Sequence, residues 1–126
     1  MKVLVTGASG FVGRALVEEL RHADAAYEVH PLGREEGDLS QEGVADGLVA
    51  GARPDVIVHG AARIGVVRCE DQAELAVRSN VLATALVARA AAAYGARLVY
   101  LSTSDVYGAA VAADEETRPA PRACTP

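Results

Sequence analysis

Short apolar runs alternate with longer segments of helical spacing along this 126-residue chain. The apolar runs are too short for helices and rich in β-branched residues, which predicts buried strands at residues 2–5, 27–32, 56–58 and 97–101. Apolar positions three and four apart predict helices over residues 11–24 and 72–94, the second closed by Gly95. This alternation predicts an α/β fold with a doubly wound parallel sheet covered on both faces.

The segments between these elements are less regular. The polar stretch 35–39 is expected to be a loop with a very short strand, giving five strands in the order 3-2-1-4-5. Ser40 predicts the N-cap of a modest helix over residues 41–50 that ends at Gly51. Residues 64–71 are expected to form a loop. The sheet domain is expected to span residues 1–108, followed by a loop or tail over residues 109–126, where periodicity is lost.

Three glycines spaced three apart separate the first predicted strand from the first predicted helix. Gly7 would allow the tight turn, Gly10 would let a diphosphate approach the backbone, and Gly13 would let the helix lie close to the strand. A strand, a glycine turn and a helix N-terminus together present backbone N–H groups to a phosphate. Small or polar residues also follow two later strands, and they would meet this turn at one rim.

Composition narrows the class of function. The formal net charge of −5, with no basic stripe, argues against nucleic acid as a partner. Two distant cysteines, Cys69 and Cys124, favour a reduced cytoplasmic protein, and the chain opens on a strand rather than a signal peptide. No His, Cys and Asp cluster has the spacing of metal ligands. The longest uninterrupted apolar run is too short for a membrane span.

Several motifs in order resemble one family. These are V-T-G-A-S-G-F-V-G at residues 5–13, G-D-L at 37–39, R-P-D-V-I-V-H-G-A-A at 53–62, Asn80, and L-S-T-S-D-V-Y-G at 101–108. Together they resemble the extended short-chain dehydrogenase/reductases of the NAD-dependent epimerase/dehydratase group, with a Rossmann-like fold. Within that group, Cys69-Glu70 and the Ser-Thr pair look most similar to the dTDP-4-dehydrorhamnose reductase branch.

The resemblance implies roles for individual residues. The dinucleotide diphosphate would lie on the three glycines, lined by Phe11 and Val12, and Thr103 would be the catalytic hydroxyl that bonds the substrate oxygen. By the same resemblance, Asp38 and Leu39 would contact the adenine. Gly60, Ala61 and Ala62 would pass close to the nicotinamide ribose, and Asn80 would support the site from the long helix. The implied partner is a nucleotide sugar, and a homodimer is compatible with the resemblance, whereas nucleic acid and membrane are not expected.

The choice of cofactor depends on the end of the second strand. NAD sites usually present an acid to the ribose 2′-OH about 20 residues after the glycine motif. Gly33 occupies that place here and Arg34 follows, which favours NADP because a guanidinium can bond a 2′-phosphate bidentately. The alternative is a solvated loop arginine, neutralised by Glu35 and Glu36.

One departure from the family bears on activity. The family reaction uses a Tyr-x-x-x-Lys pair, in which the lysine lowers the pKa of the tyrosine, the general acid/base. Lys2 is the only lysine here, and none of the four tyrosines precedes a lysine at that spacing. We therefore expect the dinucleotide-binding, N-terminal part of a longer reductase or epimerase, inactive alone. The alternative is a non-catalytic NAD(P)-binding regulatory module of the same fold.

Overall fold

A computed structural model describes residues 1–23, 27–108 and 112–121. In the described part, four parallel strands form one sheet in the order β2-β1-β3-β4. They are β1 (Lys2–Thr6), β2 (Glu28–Leu32), β3 (Val56–His59) and β4 (Arg97–Tyr100). The predicted doubly wound parallel sheet is therefore confirmed.

Helices connect the strands and cover both faces of the sheet. They are α1 (Phe11–Ala23), α2 (Val44–Ala52), α3 (Val66–Asp71), α4 (Ala73–Val77) and α5 (Ala83–Tyr94), with a π-helical turn at Arg78–Leu82 between the last two. A short 3₁₀ helix, Ser104–Tyr107, follows β4. Gly95 ends α5 in the left-handed conformation, as the sequence predicts.

Strand β1 divides the apolar core into two layers because successive side chains point to opposite faces. Leu4 packs with Ile57 and with residues of α2 and α5, such as Val49 and Leu86. Val3 and Val5 face the other way and pack against α1. The sheet is thus enclosed on both sides, and the carboxyl ends of its strands are left to form a rim.

The predicted fifth strand is absent from the described residues. Residues 35–39 form turns instead, and the sheet ends at β2. Gly37 has φ of 138°, and the Asp38 side chain accepts from both the N–H and the hydroxyl of Ser40. These local bonds compete with strand pairing. Because β2 is an edge strand here, it includes Pro31 without needing a donor on its outer side.

Two other local predictions are wrong. Helix α2 begins at Val44 after Gly43, not after Ser40, and its C-cap is Arg53 rather than Gly51. Ser40 does not cap the helix because its hydroxyl and N–H are both bonded to Asp38. Residues 66–71 of the expected loop form the short helix α3, which buries no residue and therefore leaves no apolar periodicity in the sequence.

One stretch in the described part, Ala73–Tyr94, is long and apolar enough to cross a membrane by length and composition alone. Its second half belongs to the core, since α5 packs against α2 and the sheet. The buried positions of α5 are Ala83, Leu86, Val87, Ala90 and Ala91.

Part of the predicted tail lies outside the described residues, as do Cys124 and the last residue of the helix predicted over residues 11–24. Within the described part of the tail, Ala120 N–H donates to the Val106 carbonyl at 2.8 Å.

Candidate functional site

The glycine turn after β1 is held against the end of β3. Gly7 has φ of 70°, and a Cβ there would lie 2.6 Å from the Gly60 carbonyl oxygen. A Cβ on Gly13 would lie closer than 3.0 Å to the Gly7 carbonyl oxygen, so α1 can begin against the turn only without a side chain. Gly10 N–H donates to that same Gly7 carbonyl at 2.9 Å. The predicted close packing of strand, turn and helix is therefore present.

A cleft of about 590 Å³ opens above this turn at the carboxyl ends of β1, β2 and β3. Its lining includes all but one of the cofactor-binding residues that the sequence predicts: Gly7, Gly10, Phe11, Val12, Gly13, Arg34, Asp38, Leu39, Gly60, Ala61 and Ala62. Gly10 and Asp38 therefore share one cleft, although 28 positions separate them in the numbering. Their meeting depends on the parallel topology, which brings strand ends to one rim.

Exposed apolar side chains flank the opening of the cleft. Phe11 is 87% exposed and Ile64 is 78% exposed, and both line the opening. Such large exposed apolar side chains beside a concave, glycine-lined surface are typical of a ligand site.

The adenine end predicted from the sequence contains an ionised carboxylate. Ser40 donates to Oδ1 of Asp38 from its hydroxyl at 2.7 Å and from its N–H at 2.9 Å. These bonds lower the pKa of Asp38 below its ordinary value, with a smaller contribution from the charge of Arg78. Asp38 is therefore a hydrogen-bond acceptor at neutral pH.

Arg34 lines the same cleft and is exposed. Within the described part of the chain it has neither a hydrogen bond nor an ion pair, so Glu35 and Glu36 do not neutralise it by direct contact. Its donors are available to an anion in the cleft.

Asn80 does not line the cleft but fixes the backbone that does. Its Oδ1 accepts from the Arg63 N–H at 2.7 Å, and its Nδ2 donates to the Arg63 carbonyl at 2.9 Å. Asn80 lies in the π-helical turn, a feature often found at functional sites. Its two hydrogen bonds therefore hold the loop after β3 in place.

Thr103 lies outside the cleft lining, at the N-cap of the 3₁₀ helix. Its hydroxyl donates to Oδ2 of Asp105 at 3.1 Å and accepts from the Asp105 N–H at 3.2 Å. The cleft thus brings together the expected dinucleotide residues except Asn80, and it does not include the expected catalytic hydroxyl.

The sequence prediction missed several lining residues. Ser9 stands within the glycine motif and Arg63 follows Ala62 directly, so their position next to predicted residues is a signal for both. Ser79 and Ala83 face the cleft from the long helix, beside the π-helical turn. No pattern of single residues predicts that turn, because it changes which helical positions share a face.

Comparison with known proteins gives the family. The sequence model of the RmlD substrate binding domain matches residues 1–124. This chain belongs to that family. The predicted resemblance to the dTDP-4-dehydrorhamnose reductase branch is therefore confirmed, and epimerases and dehydratases also match.

Individual relatives agree with this membership. The dTDP-4-dehydrorhamnose reductase of Burkholderia thailandensis is 36% identical over 107 residues, covering 85% of this chain and 35% of the relative. The dTDP-4-dehydrorhamnose reductase of Bacillus anthracis, in complex with NADP, is 34% identical with a TM-score of 0.85, over 95% of this chain and 43% of that one. The Thermus thermophilus UDP-glucose 4-epimerase, in complex with NAD, is 29% identical with a TM-score of 0.85, over 96% and 45%. The chain thus spans about a third of the length of the curated reductases it matches.

Proposed function

We propose that this chain is the dinucleotide-binding part of an NADP(H)-dependent reductase or epimerase of nucleotide sugars. The observation that carries the proposal is that one cleft brings together the glycine turn, Arg34, Asp38 and the end of β3. Its lining suits each part of a dinucleotide. The same proposal implies a nucleotide sugar as partner and the cytoplasm as location.

The residues of the cleft fit the cofactor part by part. Gly7, Gly10 and Gly13 add no side chains that would block a diphosphate, and the turn leads directly into the N-terminus of α1. Asp38 would accept from the adenine amino group, beside Leu39, and Arg34 would bond the 2′-phosphate. Residues 60–62 would pass the nicotinamide ribose. When bound, the nicotinamide would supply hydride chemistry at a sugar carbon.

Two residues have supporting roles in this proposal. Asn80 would keep the loop after β3 in place without touching the cofactor, since both of its contacts are with the Arg63 backbone. Thr103 would orient the substrate oxygen, for which its hydroxyl must release the Asp105 carboxylate. The solved relative in complex with NADP supports the choice of cofactor.

Titration of the chain with NADPH and NADH tests the proposal. We expect tighter binding of NADPH, and a loss of about tenfold in NADPH affinity on Arg34→Ala, because charge-assisted bonds to phosphate are strong. Arg97→Ala is the matched control, since it removes the same charge at the opposite end of the strands. Tighter binding of NADH that is unchanged in Arg34→Ala would contradict the assignment of NADP.

A turnover assay distinguishes binding of the cofactor from catalysis. The 126 residues contain no Tyr-x-x-x-Lys pair, so we expect no NADPH oxidation with a 4-keto sugar nucleotide, even where NADPH binds. Measurable turnover by this chain would contradict the role given to that pair.

A further inference from the structure

The carboxylate of Glu36 folds back onto the end of β2. The Gly33 N–H donates to Glu36 Oε2 at 2.7 Å, which closes a tight loop directly after the strand. The neighbouring Leu32 carbonyl accepts from Ala8 N–H at 3.0 Å, so this loop is joined to the glycine turn. Glu36 therefore lies beside the part of the cleft that Gly33 and Arg34 line.

The surroundings of Gly33 show which groups a side chain at this position would meet. A Cβ built there would lie 3.4 Å from Glu36 Oε2 and 3.5 Å from Ser9 Oγ. A side chain at residue 33 would thus lie in contact with the Glu36 carboxylate. The acid that NAD sites usually present to the ribose 2′-OH is absent at residue 33, but the Glu36 carboxylate is bonded to the backbone of that residue.

Two groups of opposite charge would therefore lie near the adenosine ribose in the proposed site. The Arg34 guanidinium can donate to a 2′-phosphate, whereas the Glu36 carboxylate can accept from a 2′-OH. A 2′-phosphate carries a charge of about −1.5 to −2 at neutral pH. It would be repelled by Glu36 and would compete with it for the Gly33 N–H.

We propose that Glu36 is a specificity-determining residue that lowers the affinity of this chain for 2′-phosphorylated dinucleotides. NADP(H) must displace the Glu36 carboxylate from the Gly33 N–H, whereas NAD(H) binds with that contact in place. Glu36 is exposed and belongs to a turn, so its side chain is free to move into solvent. This inference rests on the proposed function and adds a residue that limits the preference for NADP(H) given by Arg34.

Calorimetric titration of two variants with NADPH and NADH tests the inference. Glu36→Gln keeps the length of the side chain and an oxygen for the Gly33 N–H, but it removes the charge. We expect it to increase the affinity for NADPH about five- to tenfold, because it removes one exposed like charge close to the 2′-phosphate. The affinity for NADH should change by less than about twofold. Glu35→Gln is the matched control, because Glu35 is an adjacent exposed acid with no hydrogen bond or ion pair among the described residues. We expect it to change either affinity by less than about twofold.

The fragments 2′,5′-ADP and 5′-AMP give a second measurement. They differ only in the 2′-phosphate, so Glu36→Gln should increase the affinity for 2′,5′-ADP and leave the affinity for 5′-AMP unchanged. An equal gain from both variants, or no gain from Glu36→Gln, would overturn the inference while NADPH binding by the unaltered chain still stands. If the unaltered chain binds neither dinucleotide, the proposed function fails and this inference with it.

Discussion

Nε2 of His59 lies 3.0 Å from Oγ1 of Thr84, and this contact joins the end of β3 to the long helix. The Thr84 hydroxyl donates to the Asn80 carbonyl, so it must accept from Nε2–H. Nδ1 is then the acceptor for the Thr6 hydroxyl at 2.7 Å. The imidazole is fully buried and neutral, and all its polar atoms are satisfied.

Burial of this histidine predicts how stability depends on pH. Desolvation lowers the pKa of His59 below 6.5, whereas in the unfolded chain it returns to about that value. Below pH 6.5 the unfolded chain therefore binds more protons, and the free energy of unfolding falls as pH drops from 6.5 towards the folded pKa. Urea unfolding between about pH 5 and 8 measures this.

Two variants isolate the contribution of His59. His59→Asn should flatten that part of the pH profile, and it should cost about 3 kcal/mol at pH 8 because the Thr6 and Thr84 hydroxyls lose their partners. His22→Gln alters an exposed histidine and should leave the decline in place. A decline that persists unchanged in His59→Asn would show that other groups cause it.

Asn80 is predicted to position the cleft by holding the Arg63 backbone. Asn80→Ala removes a donor and an acceptor, so the free energy of unfolding should fall by about 1–3 kcal/mol and NADPH binding should weaken. Asn80→Asp keeps the acceptor for the Arg63 N–H and should show a smaller loss of affinity. Equal NADPH affinities in both variants and the unaltered chain would contradict the positioning role.

Two glycines within helices should respond oppositely to alanine. Gly13→Ala forces a Cβ against the Gly7 carbonyl and should cost about 2 kcal/mol or more. Gly47→Ala places a Cβ in open space within α2 and should stabilise the chain by about 0.5–1 kcal/mol. Thermal and urea unfolding of the pair measure the difference. A tolerated Gly13→Ala would mean that α1 does not begin against the turn.

Strand β4 is predicted to cause association, since in the described structure it pairs on one side only. Val99 is 40% exposed and Tyr100 is 51% exposed along this edge. Val99→Lys should reduce concentration-dependent association, because a charge on an edge strand opposes pairing with another chain. Light scattering across protein concentrations measures it.

Val67→Lys makes the same change on α3, away from the sheet. An equal effect from both lysines would indicate general apolar contact rather than pairing at the strand edge. A chain that stays monomeric at every concentration would contradict the prediction outright.

Local chemistry in the sequence determined much of this protein. The β-branched runs predicted the strands correctly. The glycine motif predicted the turn, because Gly7 has a positive φ and Gly13 leaves no Cβ between the helix and the turn. The parallel order then implied that distant motifs share one rim, and the cleft confirms that Gly10 and Asp38 do so. Gly95 ended its helix for an equally local reason.

Only the tertiary structure decided how side chains meet across turns and between elements. The Ser40 hydroxyl donates to Asp38 instead of capping a helix, and the Glu36 carboxylate accepts from the Gly33 N–H. Asn80, in the π-helical turn, bonds to the Arg63 backbone and does not line the cleft. Each outcome is a competition among several partners for one hydrogen bond, and three-dimensional proximity settles that competition.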